Sequence, residues 1–304
     1  MKLWNHYHTP QTVDEALRLL NDYAGRGRVV AGGTDLLVDA RAEITFEPHE
    51  ALIDITHIPD LLHIRQENDT IFIGAGVTHT NIVKSQSIAD GATCLVESCG
   101  VVGGPQVRNV ATLGGNVAHA LPAGDGTTSL VALDAEVEVI HDGQRKWLPV
   151  CDVFLGPGRS LLQIGRDLLL GFRFKQASKG ESTAFKRIMR PQGVALPIMG
   201  CAVWVKLDPI SAHFEAVRIS IAPVGPKPAR ATEVENELVG KPANSDTIES
   251  VAAFAQTVLH PRTSKYRATE DYRSEMISVL LRRTLTLATE RARTGTAVPE
   301  GVGV

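Results

Sequence analysis

Two glycine-rich segments constrain this chain more than any other feature. The first is Val29-Val30-Ala31-Gly32-Gly33-Thr34-Asp35-Leu36. The second is Arg108-Asn109-Val110-Ala111-Thr112-Leu113-Gly114-Gly115-Asn116, running on to Leu121-Pro122-Ala123-Gly124-Asp125. Each places glycines and a threonine where an apolar run ends. A backbone without Cβ can come close to a phosphate and aim several N–H donors at it. One such loop is often a plain turn between strand and helix. Two of them can clamp a pyrophosphate from both sides.

Bulk properties narrow the class. A chain of 304 residues can hold two or three domains, each with its own core. Apolar content of 43% and charged content of 21% suit a globular protein. A net charge of −3 argues against a nucleic-acid groove, which needs a basic face. No apolar run approaches the roughly 20 residues of a membrane span. The start, Met1-Lys2-Leu3-Trp4-Asn5-His6, lacks the apolar stretch of a signal peptide, so a cytoplasmic location is expected. Cys94, Cys99, Cys151 and Cys201 are scattered without Cys-x-x-Cys or zinc spacing, and read as free thiols. No metal site is expected.

Patterning divides the chain into three units. In residues 1–58, Thr12 followed by Glu15 reads as a capping box for a helix reaching Leu20. Arg28 to Ala31 and Ala51 to Ile55 read as strands and Leu36 to Arg41 as a helix, together a small parallel sheet. In residues 59–175, Leu62 to Arg65 and Thr70 to Ala75 form a hairpin. Thr78 to Ser85 and Thr93 to Cys99 read as helices, and Ser129 to Leu133 as a short apolar segment. Glu136 to Ile140 turns at Asp142-Gly143 and returns through Leu148, since Asp-Gly suits a type I′ turn. Asp167 to Phe174 reads as a strand leading out of this unit. In residues 176–304, three antiparallel strands run near 184–187, 200–207 and 216–221. Helices follow over 231–238, 245–259 and 272–291, and the tail after Thr294 is expected to be loose.

The loops also carry side-chain chemistry. Thr112 supplies a hydroxyl, Gly114 and Gly115 supply bare backbone, and Asn116 supplies an amide donor and acceptor. Asp125 suits ribose or adenine donors equally with a turn or helix-cap role. The Gly32-Gly33 loop departs from Gly-x-Gly-x-x-Gly, and the chain contains no Gly-x-x-x-x-Gly-Lys-[Ser/Thr] phosphate loop.

These segments, with Ile73-Gly74-Ala75-Gly76-Val77-Thr78, Gly104-Pro105-Gln106-Val107 and Leu133-Asp134-Ala135-Glu136-Val137, carry a resemblance over most of the chain. It resembles the FAD-binding medium subunit of the molybdenum hydroxylases. That family includes carbon monoxide dehydrogenase and the FAD segment of xanthine dehydrogenase. The resemblance implies an α+β protein with a PCMH-type FAD-binding fold. Two α/β subdomains are followed by a C-terminal domain with a three-stranded antiparallel sheet and helices. It implies an oxidoreductase subunit, FAD as cofactor, and flavin-borne chemistry with no protein catalytic residue. Its expected partners are a molybdopterin-containing large subunit and a small 2Fe-2S subunit, as a dimer of heterotrimers. Electrons would pass from the iron–sulfur clusters through FAD to NAD+ or another acceptor.

The resemblance also implies roles for individual residues. Arg28, Val29, Val30, Ala31, Gly32, Gly33, Thr34, Asp35 and Leu36 would wrap the pyrophosphate. Thr112, Gly114, Gly115 and Asn116 would meet it from the other side. Val102, Gly103, Val107 and Ala111 would line the adenine end or the ring wall. Ala118, His119, Gly124 and Asp125 would continue the cradle, with Asp125 at the adenosine ribose. Leu169 and Lys186 would approach the flavin ring, the lysine stabilising negative charge on reduced flavin. The bland alternatives are a solvated strand lysine at Lys186 and a structurally bonded loop histidine at His119. Relatives often carry Asp followed by an aromatic that can shield one flavin face, in a stretch where this chain has Gly193-Val194-Ala195, so no aromatic shield is implied here. The cysteine-bearing insertion of the hydroxybenzoyl-CoA reductase branch is absent after Asn116. Two other readings keep the sequence features. One is a stand-alone FAD-dependent reductase of the enolpyruvyl-UDP-N-acetylglucosamine reductase type, and the other a flavin-free assembly subunit.

Overall fold

The computed structural model describes residues 4–42, 49–190, 196–265 and 267–302. Its first unit alternates strand and helix: β1 (Trp4–His8), α1 (Val13–Asp22), β2 (Gly27–Val30), α2 (Thr34–Ala42) and β3 (His49–Asp54). The strands are parallel in the order β1-β3-β2, because helical crossovers return the chain to the same end of the sheet. Thr12 caps α1 by accepting the Glu15 N–H at 3.1 Å, while Glu15 accepts the Gln11 N–H at 2.8 Å. The expected capping box is thus closed one residue early. Strand β1 was not legible in the polar, histidine-rich run Trp4-Asn5-His6-Tyr7-His8; pairing with β3 forms it.

The second unit is a five-stranded antiparallel sheet with helices on one face. It comprises β4 (Ile64–Glu67), β5 (Thr70–Gly74), α3 (His79–Val83), α4 (Gln86–Gly91), α5 (Thr93–Gly100), α6 (Pro105–Arg108), α7 (Leu113–Ala118), α8 (Asp125–Ala132), β6 (Glu136–His141), β7 (Gln144–Pro149), the small ribbon β8 (Phe154–Gly156) and β9 (Arg159–Ser160), and β10 (Leu168–Lys175). The order is β4-β5-β10-β6-β7. Strand β10 is the last of this unit before the chain passes to the next, and it lies at the centre of the sheet. Its apolar run is what a strand buried on both faces requires. A bulge between Leu169 and Gly171 changes the alternation. Leu168 and Leu170 enter the core shared with α1 and β3, while Leu169, Phe172 and Phe174 face the helices. The Asp142-Gly143 turn has φ of 51° and 72°, as type I′ demands.

The short segment at 129–133 is the end of α8 rather than a separate element. Helices α6 and α7 sit inside what reads from sequence as one long loop. They are only four and six residues long, too short to show periodicity.

The third unit is the antiparallel sheet β11 (Glu181–Met189), β12 (Pro197–Leu207) and β13 (Phe214–Ala222), followed by α9 (Thr232–Leu238), α10 (Ser245–Val258) and α11 (Glu270–Thr294). One face packs on α11, burying Val203, Val205 and Ile219 with Ile277, Leu281 and Leu285. The other face meets α5 and α8, with Phe185 and Ala202 inside the second unit's core.

The tail is not loose. Gly295, at φ +68°, ends α11 and reverses the chain toward α5. The fully buried Glu97 carboxylate then gathers donors: Arg291 Nη2 at 2.7 Å, the Glu300 N–H at 2.9 Å and the Phe185 N–H at 2.7 Å. Arg291 also donates to the carbonyls of Thr183 and Val298. A buried carboxylate needs such partners, and satisfying them holds the tail down. Val302 closes over Gly100, where a Cβ would meet its Cγ1 at 2.7 Å. All four cysteines are free thiols, and burial pushes Cys151 up to about 11.

Candidate cofactor site

The first loop leaves the buried end of β2 at Val30 and enters α2 at Thr34. Arg28 and Val29 are half-buried on β2, and burial holds Arg28 below its ordinary range against the pull of Asp39. Gly33 takes φ +66°, which favours glycine. Gly32 has a different reason to be glycine. A Cβ there would lie 2.2 Å from the Val110 carbonyl oxygen and 2.7 Å from Ala111 Cα. The two glycine-rich loops therefore touch, backbone to backbone. Ala31, Gly32, Gly33, Thr34 and Leu36 remain half-exposed, and Asp35 is exposed.

The second loop is stitched to residues 75–79. The His79 N–H donates to the Ala111 carbonyl at 3.0 Å, and the Leu113 N–H to that of Val77 at 3.2 Å. Gly114 is buried against Ala75, where a Cβ would meet the carbonyl oxygen at 2.4 Å. Gly114 is thus a packing glycine, while Gly115 is exposed. Thr112 caps α7, its hydroxyl accepting the Gly115 N–H at 3.0 Å. Asn116 turns its carbonyl oxygen inward to the Thr127 N–H (3.2 Å) and hydroxyl (3.1 Å). Its NH₂ then points away from Thr127, an orientation that follows from these hydrogen bonds. Gly124 must be glycine here, since a Cβ would sit 2.8 Å from the Asn116 oxygen. His119 Nε2 lies 3.9 Å from Asp35 Oδ1, spanning the two loops, and Ala118 is exposed beside it.

Behind α7 the chain makes a tight turn at Val101–Gly104. Gly103, at φ +50°, packs on Val107, where a Cβ would lie 3.0 Å from the Val107 Cβ, and Ala111 is buried next to them in sequence. Three successive carbonyls of this turn are held by two guanidinium groups. Arg108 Nη1 donates to Val102 at 3.3 Å and Gly103 at 3.1 Å. Arg187 Nη2 donates to Val101 at 2.5 Å. Arg187 Nη1 also pairs with Asp125 Oδ2 at 2.6 Å. Asp125 is buried at the start of α8. Burial pushes its carboxyl up to about 6, opposed by Arg187 and Arg267.

Two of the expected residues lie outside the loop segments in sequence. Leu169 is buried in the core on β10, next to Leu170, whose carbonyl receives the Ala75 N–H. Lys186 alternates away from Thr183, Phe185 and Arg187, which face the second unit. It shares the opposite face with Ala184 and Ile188, and its Nζ pairs with Glu300 at 2.6 Å. Gly193-Val194-Ala195 lies outside the described residues. Among the described residues, His141, Asp142 and Asp167 bring metal-ligand atoms together. Asp167 also accepts the Gln163 N–H at 2.7 Å, so this group braces the β6–β7 turn away from the cradle.

Sequence reasoning assigned no role to Arg108, Arg187 or Glu97. Glu97 leaves a signal, because it is the one carboxylate in the run Thr93-Cys94-Leu95-Val96-Glu97-Ser98-Cys99. A charge among apolar neighbours implies a buried partner. Arg187 differs from Lys186 only through strand alternation, which needs the register to be known.

The residues fit a dinucleotide pyrophosphate. Bare backbone at Gly32, Gly33 and Gly115 and the starts of α2 and α7 open on one seam. The start of α2 presents N–H groups and a favourable dipole to an anion, whereas the first N–H groups of α7 are already taken by Val77, Ala75 and Thr112.

Comparison with known proteins agrees. Residues 3–174 match the family described as the FAD binding domain in molybdopterin dehydrogenase, and residues 183–288 match the CO dehydrogenase flavoprotein C-terminal domain. The chain is 28% identical to the carbon monoxide dehydrogenase medium chain of Hydrogenophaga pseudoflava, over 94% of this chain and 97% of that one. It is 31% identical to the 6-hydroxypseudooxynicotine dehydrogenase complex subunit alpha of Paenarthrobacter nicotinovorans, over 94% and 95%. A solved structure of the Hydrogenophaga pseudoflava carbon monoxide dehydrogenase superposes with a TM-score of 0.86 at 28% identity, covering 94% of this chain and 97% of that one. The chain belongs to the FAD-binding medium subunits of the molybdenum hydroxylase family, and FAD is its cofactor.

Proposed function

We propose that this chain holds FAD between the 2Fe-2S clusters of a small subunit and NAD+ or another acceptor, within a complex whose large subunit carries molybdopterin. A dimer of heterotrimers in the cytoplasm is part of the same reading. When bound, the flavin supplies the redox chemistry. The residues of the chain hold and orient it. Val29 to Leu36 and Thr112 to His119 contact the pyrophosphate from two sides, with the Asn116 NH₂ as a side-chain donor. The 101–104 turn, Val107 and Ala111 line the flavin or adenine wall. Asp125 acts at that wall as the partner of Arg187.

The observation that most supports this reading is the seating of Gly32 on Val110 and Ala111, which makes one seam of two distant loops. The test has two parts. FAD added to the purified chain gives bound-flavin bands near about 370 and 450 nm. Purification from the native host recovers the chain with a molybdenum subunit and a 2Fe-2S subunit, whose reduction by substrate bleaches the flavin. A persistently lone chain with NADPH-dependent reductase activity overturns the electron-transfer reading.

A further inference from the structure

The Arg187 side chain crosses from the third unit into the second. Its side chain is 7% exposed and its fork is shared between two anchors. One is the Asp125 carboxylate at the start of α8, and the other is the Val101 carbonyl at the start of the 101–104 turn. The next two carbonyls of that turn belong to Arg108. The conformation of the turn is therefore set from two sides. Arg108 acts locally, from the helix that follows. Arg187 acts from a strand of another sheet. A guanidinium spans two acceptors in a fixed plane, and a lysine ammonium does not. The Arg187 Nε–H is buried with no protein acceptor, so the group is not placed there for its own satisfaction alone.

We propose that Arg187 is a positioning residue for the flavin pocket, transmitting the placement of the third unit to the 101–104 turn. This rests on the reading that Val102 and Gly103 line the bound cofactor. The third unit then does more than cover the site, because moving β11 moves the wall. Arg187 is buried and tied to Asp125 from one side while Arg267 and Cys99 face the same carboxylate, so the pair sits in a confined electrostatic setting. Burial favours the protonated form of Asp125, and protonation would weaken the anchor from which Arg187 reaches the turn.

The test uses the full-length chain with FAD as the probe. Arg187→Lys keeps the charge beside Asp125 and removes the fork. It weakens FAD binding by about tenfold or more and alters the visible circular dichroism of the bound flavin. In the FAD-free chain it speeds amide exchange at Val102 and Gly103 while leaving β12 protected. That measurement reports on the turn even if affinity becomes too weak to read. Val102→Trp, at a half-exposed position, probes the underlying reading separately. If Val102→Trp binds FAD as the wild type does, the turn does not line the cofactor and the proposal falls with that reading. If Val102→Trp blocks FAD but Arg187→Lys binds it within twofold with an unchanged spectrum and unchanged exchange, the reading stands and the role of Arg187 is overturned.

Discussion

Gly32→Ala tests the seam between the loops most directly. The added methyl would start 2.2 Å from the Val110 oxygen and 2.7 Å from both Val110 C and Ala111 Cα. Ordinary contact begins near 3.4 Å, so the loops must part by about 1 Å. All three obstructing atoms are backbone, and the hydrogen bond from His79 N–H to the Ala111 carbonyl fixes that backbone. Overpacking of this kind costs about 1–3 kcal/mol of stability. The larger effect falls on the cofactor. A displacement of about 1 Å in a positioning element can cost on the order of 100-fold, equivalent to about 3 kcal/mol of binding. Gly33→Ala separates the loop contact from the cofactor contact, because Gly33 belongs to the proposed cradle but meets no other loop. Its Cβ would meet nothing closer than Val30 Cγ2 at 3.5 Å, leaving only the left-handed strain of about 1–2 kcal/mol at φ +66°. Fluorescence titration with FAD, beside far-ultraviolet circular dichroism for the fold, reads both. A folded Gly32→Ala chain that binds FAD within twofold of wild type refutes the clamp.

Two other expectations follow from the same contacts. Asn116→Asp keeps an acceptor for Thr127 but replaces the outward NH₂ with negative charge, so the melting temperature holds while FAD affinity falls at least tenfold by the usual weight of a charged contact (roughly 1.5–3 kcal/mol); equal loss of both, by melting and titration, contradicts it. His79 is buried and held down to about 4 by desolvation and the nearby Arg108 charge. Its folded value lies below its unfolded one, so stability is full above pH 6.5 and lost as pH falls toward 4, by about 3 kcal/mol in total. Urea unfolding between pH 7 and 4 checks this, and His79→Gln should flatten that part of the profile.

Local chemistry made much of this fold legible in sequence. Asp142-Gly143 specifies its turn through two left-handed residues, and the 3.6-residue spacing of Ile277, Leu281 and Leu285 specifies a buried helix face. The glycine loops were legible because missing side chains leave a sequence trace. The partner of each glycine left none. Gly115 is exposed, whereas Gly114 serves the contact with Ala75, and nothing in the string Leu113-Gly114-Gly115-Asn116 separates those roles. The central place of β10 was not legible because a run apolar on both faces has no alternation to orient it, and its neighbours β5 and β6 are not adjacent to it in sequence. The tail was misread for a related reason. Its polar and glycine-containing residues look unstructured until Glu97 and Arg291, nearly two hundred residues apart in the chain, supply its bonds.

That same ion pair explains how the cofactor units and the third unit become one body. Strand β11 is an edge strand, and its outward backbone groups would otherwise face another molecule. They face Glu97 and Arg291 instead. The Phe185 N–H donates to the first and the Thr183 carbonyl accepts from the second. Removing one member of such a buried pair typically costs about 3–5 kcal/mol, because the other is left charged and unpaired. Separating the units exposes the Glu97 contact with β11, the Arg187 contact with Asp125 and the apolar seat of Phe185 and Ala202 together. Those contacts lie along the edge and one face of the β11–β12 pair, so they break as a set. A hinge between the units is therefore costly, and the 101–104 turn is tied through Arg187 to the third unit.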